Sequence, residues 1–254
     1  MSEETPKNAQ IPEDDRVNIS FYTMRKTIGI LGMTLPFMLI IGNCFNVLPS
    51  ISHFYYSDVA VVFIGVLFTF GLFLFSYRVP RSDFDRDNLL TNIAGVLAIL
   101  VALVPTGLDS CESCGLAPNA HHADVFKNSV HLGSAFLFFV IMAIMSYFFF
   151  TKGISKEEER LTDRTKLPLA KQRKISRNRV YRICGIIMGV LLLVLIIWFL
   201  LVKAEVVAKK DANNVVFWIE TGLLLAFGFS WLVKGKALQF TGLAMFTDPN
   251  KPKT

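Results

Sequence analysis

Long apolar runs separated by polar stretches set the pattern of this chain. The runs cover about 27–49, 59–77, 89–105, 128–151, 181–202 and 214–233, and none carries a Lys or Arg in its middle. A membrane-spanning helix needs roughly 20 mainly apolar residues. Backbone in lipid must satisfy its own hydrogen bonds, which a helix does within one segment. The pattern therefore predicts an all-α polytopic membrane protein, a single bundle of six transmembrane helices over 27–235. A tail of 1–26 precedes it and a tail of 236–254 follows, so no separate soluble domain fits.

The composition agrees. The chain has 254 residues, 53% of them hydrophobic, and a mean hydropathy of +0.48, too apolar for an ordinary soluble domain. The N-terminal tail mixes charges (Glu3, Glu4, Glu13, Asp14, Asp15, Arg16). That is not the basic start and apolar stretch of a signal peptide. The tail is expected to be disordered and cytoplasmic, with the first run acting as an uncleaved signal.

Positive charge flanking the runs predicts sidedness. Arg25 and Lys26 precede run one; Arg78, Arg81 and Arg86 follow run two; Lys234 and Lys236 follow run six. Eleven Lys or Arg lie between Lys152 and Arg182, whereas 50–58 and 106–126 contain none. Only 203–213, with Lys203, Lys209 and Lys210, departs from the alternation. Both termini are thus expected in the cytoplasm, with 50–58, 106–126 and 203–213 outside. A bacterial inner (plasma) membrane is the expected location.

The net charge of +6 comes largely from the basic 152–180 loop and its continuation to Arg182. It signals topology and attraction to anionic headgroups, or a protein partner docked there, rather than nucleic acid. Leu169 to Arg179 is expected to form a basic helix running on into run five.

On this topology the unusual polar residues gather toward the outer side. Asn43, Cys44 and Asn46 end run one, and His53 and Asp58 follow. Asp109, Cys111, Glu112, Cys114, His121, His122 and Asp124 fill the second outer loop, and His131 and Glu220 lie within runs four and six. At 1.5 Å per residue, Asn43, His131 and Glu220 fall roughly 5–10 Å below the outer boundary. An acid inside a span is costly and usually faces a bundle interior or wet cavity, so Glu220 is the sharpest candidate. Its bland alternative is a hydrogen bond locking two helices. His131, followed by Gly133, Ser134 and Ala135, is either a packing hydrogen bond or a ligand contact. The candidate ligand-binding set is Glu220, His131, Asn43, Asn46, His53 and Asp58.

Cys111 and Cys114 are separated by two residues in the expected outer loop. A disulfide staple, a redox pair and zinc ligation with nearby His compete there. Adjacent His121 and His122 rarely bind one ion together, so no metal and no cofactor is assigned. Cys184 reads as buried packing. Pro36 is expected to kink run one, and Gly185 and Gly189 to mark a helix contact.

Several stretches resemble a bacterial family of six-span membrane proteins of uncharacterised activity. They are Ser50-Ile-Ser-His-Phe-Tyr-Tyr56 with Val62 to Phe68, His131 to Phe139, Arg179 to Gly185, and Phe217-Trp-Ile-Glu220 with Phe227 to Gly235. The arrangement is more distantly similar to the DRAM/Frag-type six-span family, which also opens its fourth span with a His followed by small and Phe residues. The resemblance implies the fold and topology and assigns no residue a role. Such proteins are expected to carry further polar residues near 56–61. Here Ala60-Val61-Val62 is apolar, which weighs against a Ser-His-Asp hydrolase.

Three functional classes follow. The first is binding or transport of a lipid or small amphiphile through an outward-facing polar pocket. The second is a membrane enzyme, either a thiol oxidoreductase using Cys111 and Cys114 or a lipid hydrolase using His53, Asp58 and His131. The third is a structural or accessory subunit.

Overall fold

A computed structural model describes residues 13–77, 85–107, 125–152, 168–207 and 214–236, with side chains from 22 in the first stretch and from 86 in the second. Among these residues every regular element is helical. The helices are α1 (Glu13–Gly42), α2 (Ala60–Ser76), α3 (Asp85–Leu103), α4 (Val125–Ile144), α5 (Leu169–Lys203) and α6 (Val215–Lys234). A short 3-10 helix, Ile51–Tyr56, lies between α1 and α2, and α4 continues as a π-turn over Met145–Phe149.

Five helical segments are long and apolar enough to cross a membrane: Tyr22–Gly42, Arg86–Leu103, Val125–Phe149, Leu169–Lys203 and Val215–Lys234. This is the make-up of a multi-pass membrane protein. The apolar α2 is shorter, at 17 residues. At 1.5 Å per residue it reaches about 26 Å, a few Å less than a typical hydrocarbon core. The 3-10 helix ahead of it takes up residues that a longer span would use.

Two expectations about the first span are corrected. Residues 13–26, expected within a disordered tail, are helical. Once an apolar helix is nucleated, each further residue adds a hydrogen bond at little cost. At its other end α1 stops at Gly42 rather than near 49. Cys44 and Phe45 take left-handed φ values of 51° and 63°, and the Phe45 N–H donates to the Ile40 carbonyl at 2.8 Å. The basic stretch before run five does continue into it, as the single 35-residue helix α5.

Each helix packs on its neighbour in sequence, and α6 returns against α1, so the six helices form a closed ring. Two of these contacts bring backbones together at glycine. A Cβ on Gly228 of α6 would lie 2.7 Å from the Gly29 carbonyl oxygen of α1, and one on Gly71 of α2 would lie 2.8 Å from the Gly95 carbonyl oxygen of α3. In lipid such close van der Waals packing is a main source of helix association. A Cβ on Gly185 would lie 3.1 Å from the Ala143 carbonyl oxygen of α4, whereas one on Gly189 would meet nothing within 4 Å. Of that pair, only Gly185 makes a helix contact.

Aromatic side chains fill the ring. Phe227 of α6 meets Phe70 of α2 and Phe138 of α4 at centroid distances of 5.6 and 5.8 Å. One turn on, Trp231 meets Tyr77 and Phe150 at 5.5 and 5.3 Å. These edge-on pairs lie in the favoured range for aromatic packing. The outward faces stay apolar: Val190, Leu193, Ile197 and Leu200 of α5 are each more than half exposed. That suits a lipid-facing surface.

A polar cluster closes one end of the bundle

The 3-10 helix Ile51–Tyr56 caps the end of the ring where α1 finishes and α6 begins. Ser50, Ile51, Ser52, His53 and Phe54 are all buried. Irregular backbone at such a place must find partners, because an unpaired buried N–H or C=O is costly. Helix α6 supplies two such partners, and α4 bonds the Ser52 side chain.

From α6, Glu220 Oε2 accepts the Ile51 N–H at 2.6 Å. In return, the Phe217 N–H of the first turn of α6 donates to the Pro49 carbonyl at 2.9 Å. From α4, His131 Nε2 lies 2.9 Å from Ser52 Oγ, and its Nδ1 lies 2.6 Å from the Val104 carbonyl beyond the end of α3. Tyr56 donates its hydroxyl to the Thr106 carbonyl at 2.6 Å. Asn128 Oδ1 accepts the Gly107 N–H at 2.8 Å. His53 Nδ1 lies 2.6 Å from Ser50 Oγ.

The geometry fixes the His131 tautomer. A carbonyl can only accept, so Nδ1 carries a proton and donates to Val104. In the neutral ring Nε2 is then the acceptor, and the Ser52 hydroxyl donates to it. A Ser hydroxyl on a base that is itself oriented by a third group is the arrangement that activates a nucleophile.

His53 lies outside the helical spans. Burial pulls its imidazole down to about 4, and the His131 ring acts in the same direction. An unfolded chain holds a His near 6.5, so the folded state prefers the neutral ring. This stabilisation is complete above about pH 6.5 and is lost as pH falls toward 4. Thermal unfolding in detergent should therefore show a falling Tm between pH 6.5 and 4. His53→Gln should flatten that part of the profile; an unchanged slope would assign it to other groups.

Of the residues singled out from sequence, Glu220, His131 and His53 meet around the 3-10 helix. Asn43 and Asn46 serve the turn after α1, with Asn43 Nδ2 donating to the Asn46 carbonyl at 2.7 Å. Asp58 is exposed and takes no part in these bonds. Cys111 and Cys114, with Asp109, Glu112, His121, His122 and Asp124, lie outside the described residues. Cys44 is exposed, Cys184 is buried, and both are free thiols. Among the described residues no three His, Cys, Asp or Glu side chains are grouped to hold a metal ion. Sequence reasoning passed over Ser50 and Ser52. Their signal was the alternation Ser50-Ile-Ser-His53, which puts two hydroxyls beside the histidine.

Fold and site together define a helical multi-pass membrane protein with a buried polar cluster at one end. Comparison with protein-family models, curated proteins and solved structures finds no match to this chain.

Proposed function

We propose that the protein crosses the membrane six times, with both termini in the cytoplasm, and binds a lipid or small amphiphile through the polar cluster at its outer end. The short α2 counts as a span in this reading, and the charge alternation supplies the orientation. A place beside the bacterial six-span family that it resembles is part of the same proposal. The observation that carries the binding reading is the meeting of Glu220, His131, His53 and Ser52 inside an apolar bundle. Ionisable groups within a bundle are expensive to bury and mark functional sites by default.

Lipid extracted from the purified wild type, compared with Glu220→Gln and His131→Ala, tests it. Loss of a bound amphiphile from variants that still fold is the expected outcome. Identical lipid content in all three would sink the reading and leave the cluster as architecture.

One observation favours an enzyme as the second reading. The Ser52 hydroxyl is hydrogen-bonded to His131 Nε2, and His131 is oriented by the Val104 carbonyl. Such a pair suits acyl transfer from a lipid ester: Ser52 Oγ attacks the carbonyl while His131 takes its proton, and the ester C–O bond breaks with His131 returning that proton to the departing alcohol. A fluorophosphonate probe should label Ser52 in the wild type and not in Ser52→Ala. No labelling in a folded, lipid-embedded wild type removes this reading.

A further inference from the structure

At the opposite end of the ring from the polar cluster, helices α1, α5 and α6 and the end of α4 enclose a hollow. Two adjoining cavities of about 140 and 160 Å³ share Arg25, Phe150, Lys174 and Lys234 in their walls. A single water needs only roughly 10–15 Å³ of such space, so there is room for a sizeable polar group. Arg177 and Lys236 line one side and Lys152 the other. Among the described lining residues Asp87 is the acid, and Lys152 occupies it at 2.6 Å. The wall thus holds five basic side chains beyond that ion pair.

Three of these side chains, Arg25, Lys234 and Lys236, are held in place by neighbouring groups. Arg25 donates through Nη2 and Nε to the Tyr77 hydroxyl at 2.6 and 3.1 Å, which fixes the plane of its guanidinium. Lys234 Nζ donates to the Phe150 carbonyl at 3.3 Å and lies 4.8 Å from the Phe150 ring centre. An ammonium has three donors, and this carbonyl takes one. Lys236 lies 4.4 Å from the centre of the Tyr22 ring.

The π-turn gives an independent pointer. Met145–Phe149 breaks the α-helical register of α4 where Met145, Phe149 and Phe150 form the apolar part of the wall. π-turns inside α-helices occur often at functional sites. Here the turn sets an aromatic wall against the cationic one. A fixed guanidinium beside ammonium groups is a phosphate-binding combination. An apolar wall beside it accommodates the first carbons of an attached chain.

We propose that this hollow binds a phosphate-bearing anion, namely the headgroup of an anionic phospholipid or a free phosphate compound. The site stands apart from the polar cluster at the other end, so either proposal can fail alone.

The test uses the full chain purified in detergent. Dioleoyl phosphatidylglycerol, dioleoyl phosphatidylcholine and inorganic phosphate are added separately. Binding is followed by native mass spectrometry and by the shift in Tm. Phosphatidylglycerol should bind one per chain and raise Tm well above the zwitterionic lipid. Lys174→Gln combined with Arg177→Gln changes two only partly buried side chains and should weaken binding about tenfold or more, given the attraction each basic residue adds. Lys203→Gln, at the other end, should bind as wild type. Protection by inorganic phosphate at millimolar level, lost in the same double variant, would support the site with a free phosphate compound as its occupant. The proposal is overturned if neither probe exceeds phosphatidylcholine, or if the folded double variant binds as the wild type does.

Discussion

Gly228→Ala is expected to unfold at a clearly lower temperature than the wild type. The new Cβ would lie 2.6 Å from Met33 Cγ, 2.7 Å from the Gly29 carbonyl oxygen and 2.9 Å from the Met33 nitrogen. Two of these three atoms are backbone, so a rotamer change cannot relieve the clash. The α1 and α6 helices must move apart. Overpacking of this kind costs about 1–3 kcal/mol, occasionally more. The α1–α6 contact closes the ring, so the separation also loosens Phe227 and Trp231 from their aromatic partners. Gly189→Ala is the control. Nothing lies within 4 Å of its Cβ position, and exchanging a helical Gly for Ala gains about 0.5–1 kcal/mol. Unfolding both variants in the same detergent should move Tm in opposite directions. Equal shifts would mean that the glycine contact does not hold the ring closed.

What the sequence made legible follows from the range of each interaction. Hydropathy is a local property, so the runs at 128–151, 181–202 and 214–233 correspond closely to helices that are long and apolar enough to cross a membrane. Element ends depend on less local effects. Residues 13–26 look polar and tail-like, yet they continue a helix nucleated downstream. The end of α1 depends on two left-handed residues, Cys44 and Phe45, that carry no glycine to announce them. Depth along a helix can be counted, which puts Asn43, His131 and Glu220 at one level; His131 and Glu220 do meet at the 3-10 helix, whereas Asn43 serves the turn after α1. The partners were not legible. Glu220 reaches the backbone of Ile51, and His131 reaches the Val104 carbonyl, and backbone groups leave no mark in a sequence. The basic hollow was hidden for a related reason. Arg25, Lys174 and Lys234 each read as topology signals in separate segments, and only the closure of α1 on α6 brings them to one wall.

His131→Leu should be the most disruptive change at the polar end. The ring bonds two elements at once, the Val104 carbonyl after α3 and the Ser52 hydroxyl of the 3-10 helix. Hydrogen bonds between membrane helices average only about 0.6 kcal/mol each, which would make the loss small. That average applies where the separated partners find others. Here Thr106, which follows Val104 closely, is already bonded through its carbonyl, and His131 itself is fully buried. Leaving the Val104 carbonyl unpaired costs about 1–3 kcal/mol on its own, so the variant should lose at least that much. His131→Asn separates the two bonds. Its side-chain amide can still donate toward Val104 but lacks the ring nitrogen that reaches Ser52. If holding the chain beyond α3 through the Val104 carbonyl is the main duty of His131, Asn should recover much of the lost Tm and keep the lipid content of the wild type. If the pairing with Ser52 serves acyl transfer, fluorophosphonate labelling of Ser52 should be absent in Asn even where its Tm recovers. A variant as unstable as Leu would show that the Val104 bond contributes little and that the Ser52 bond and the packing of the imidazole hold this end.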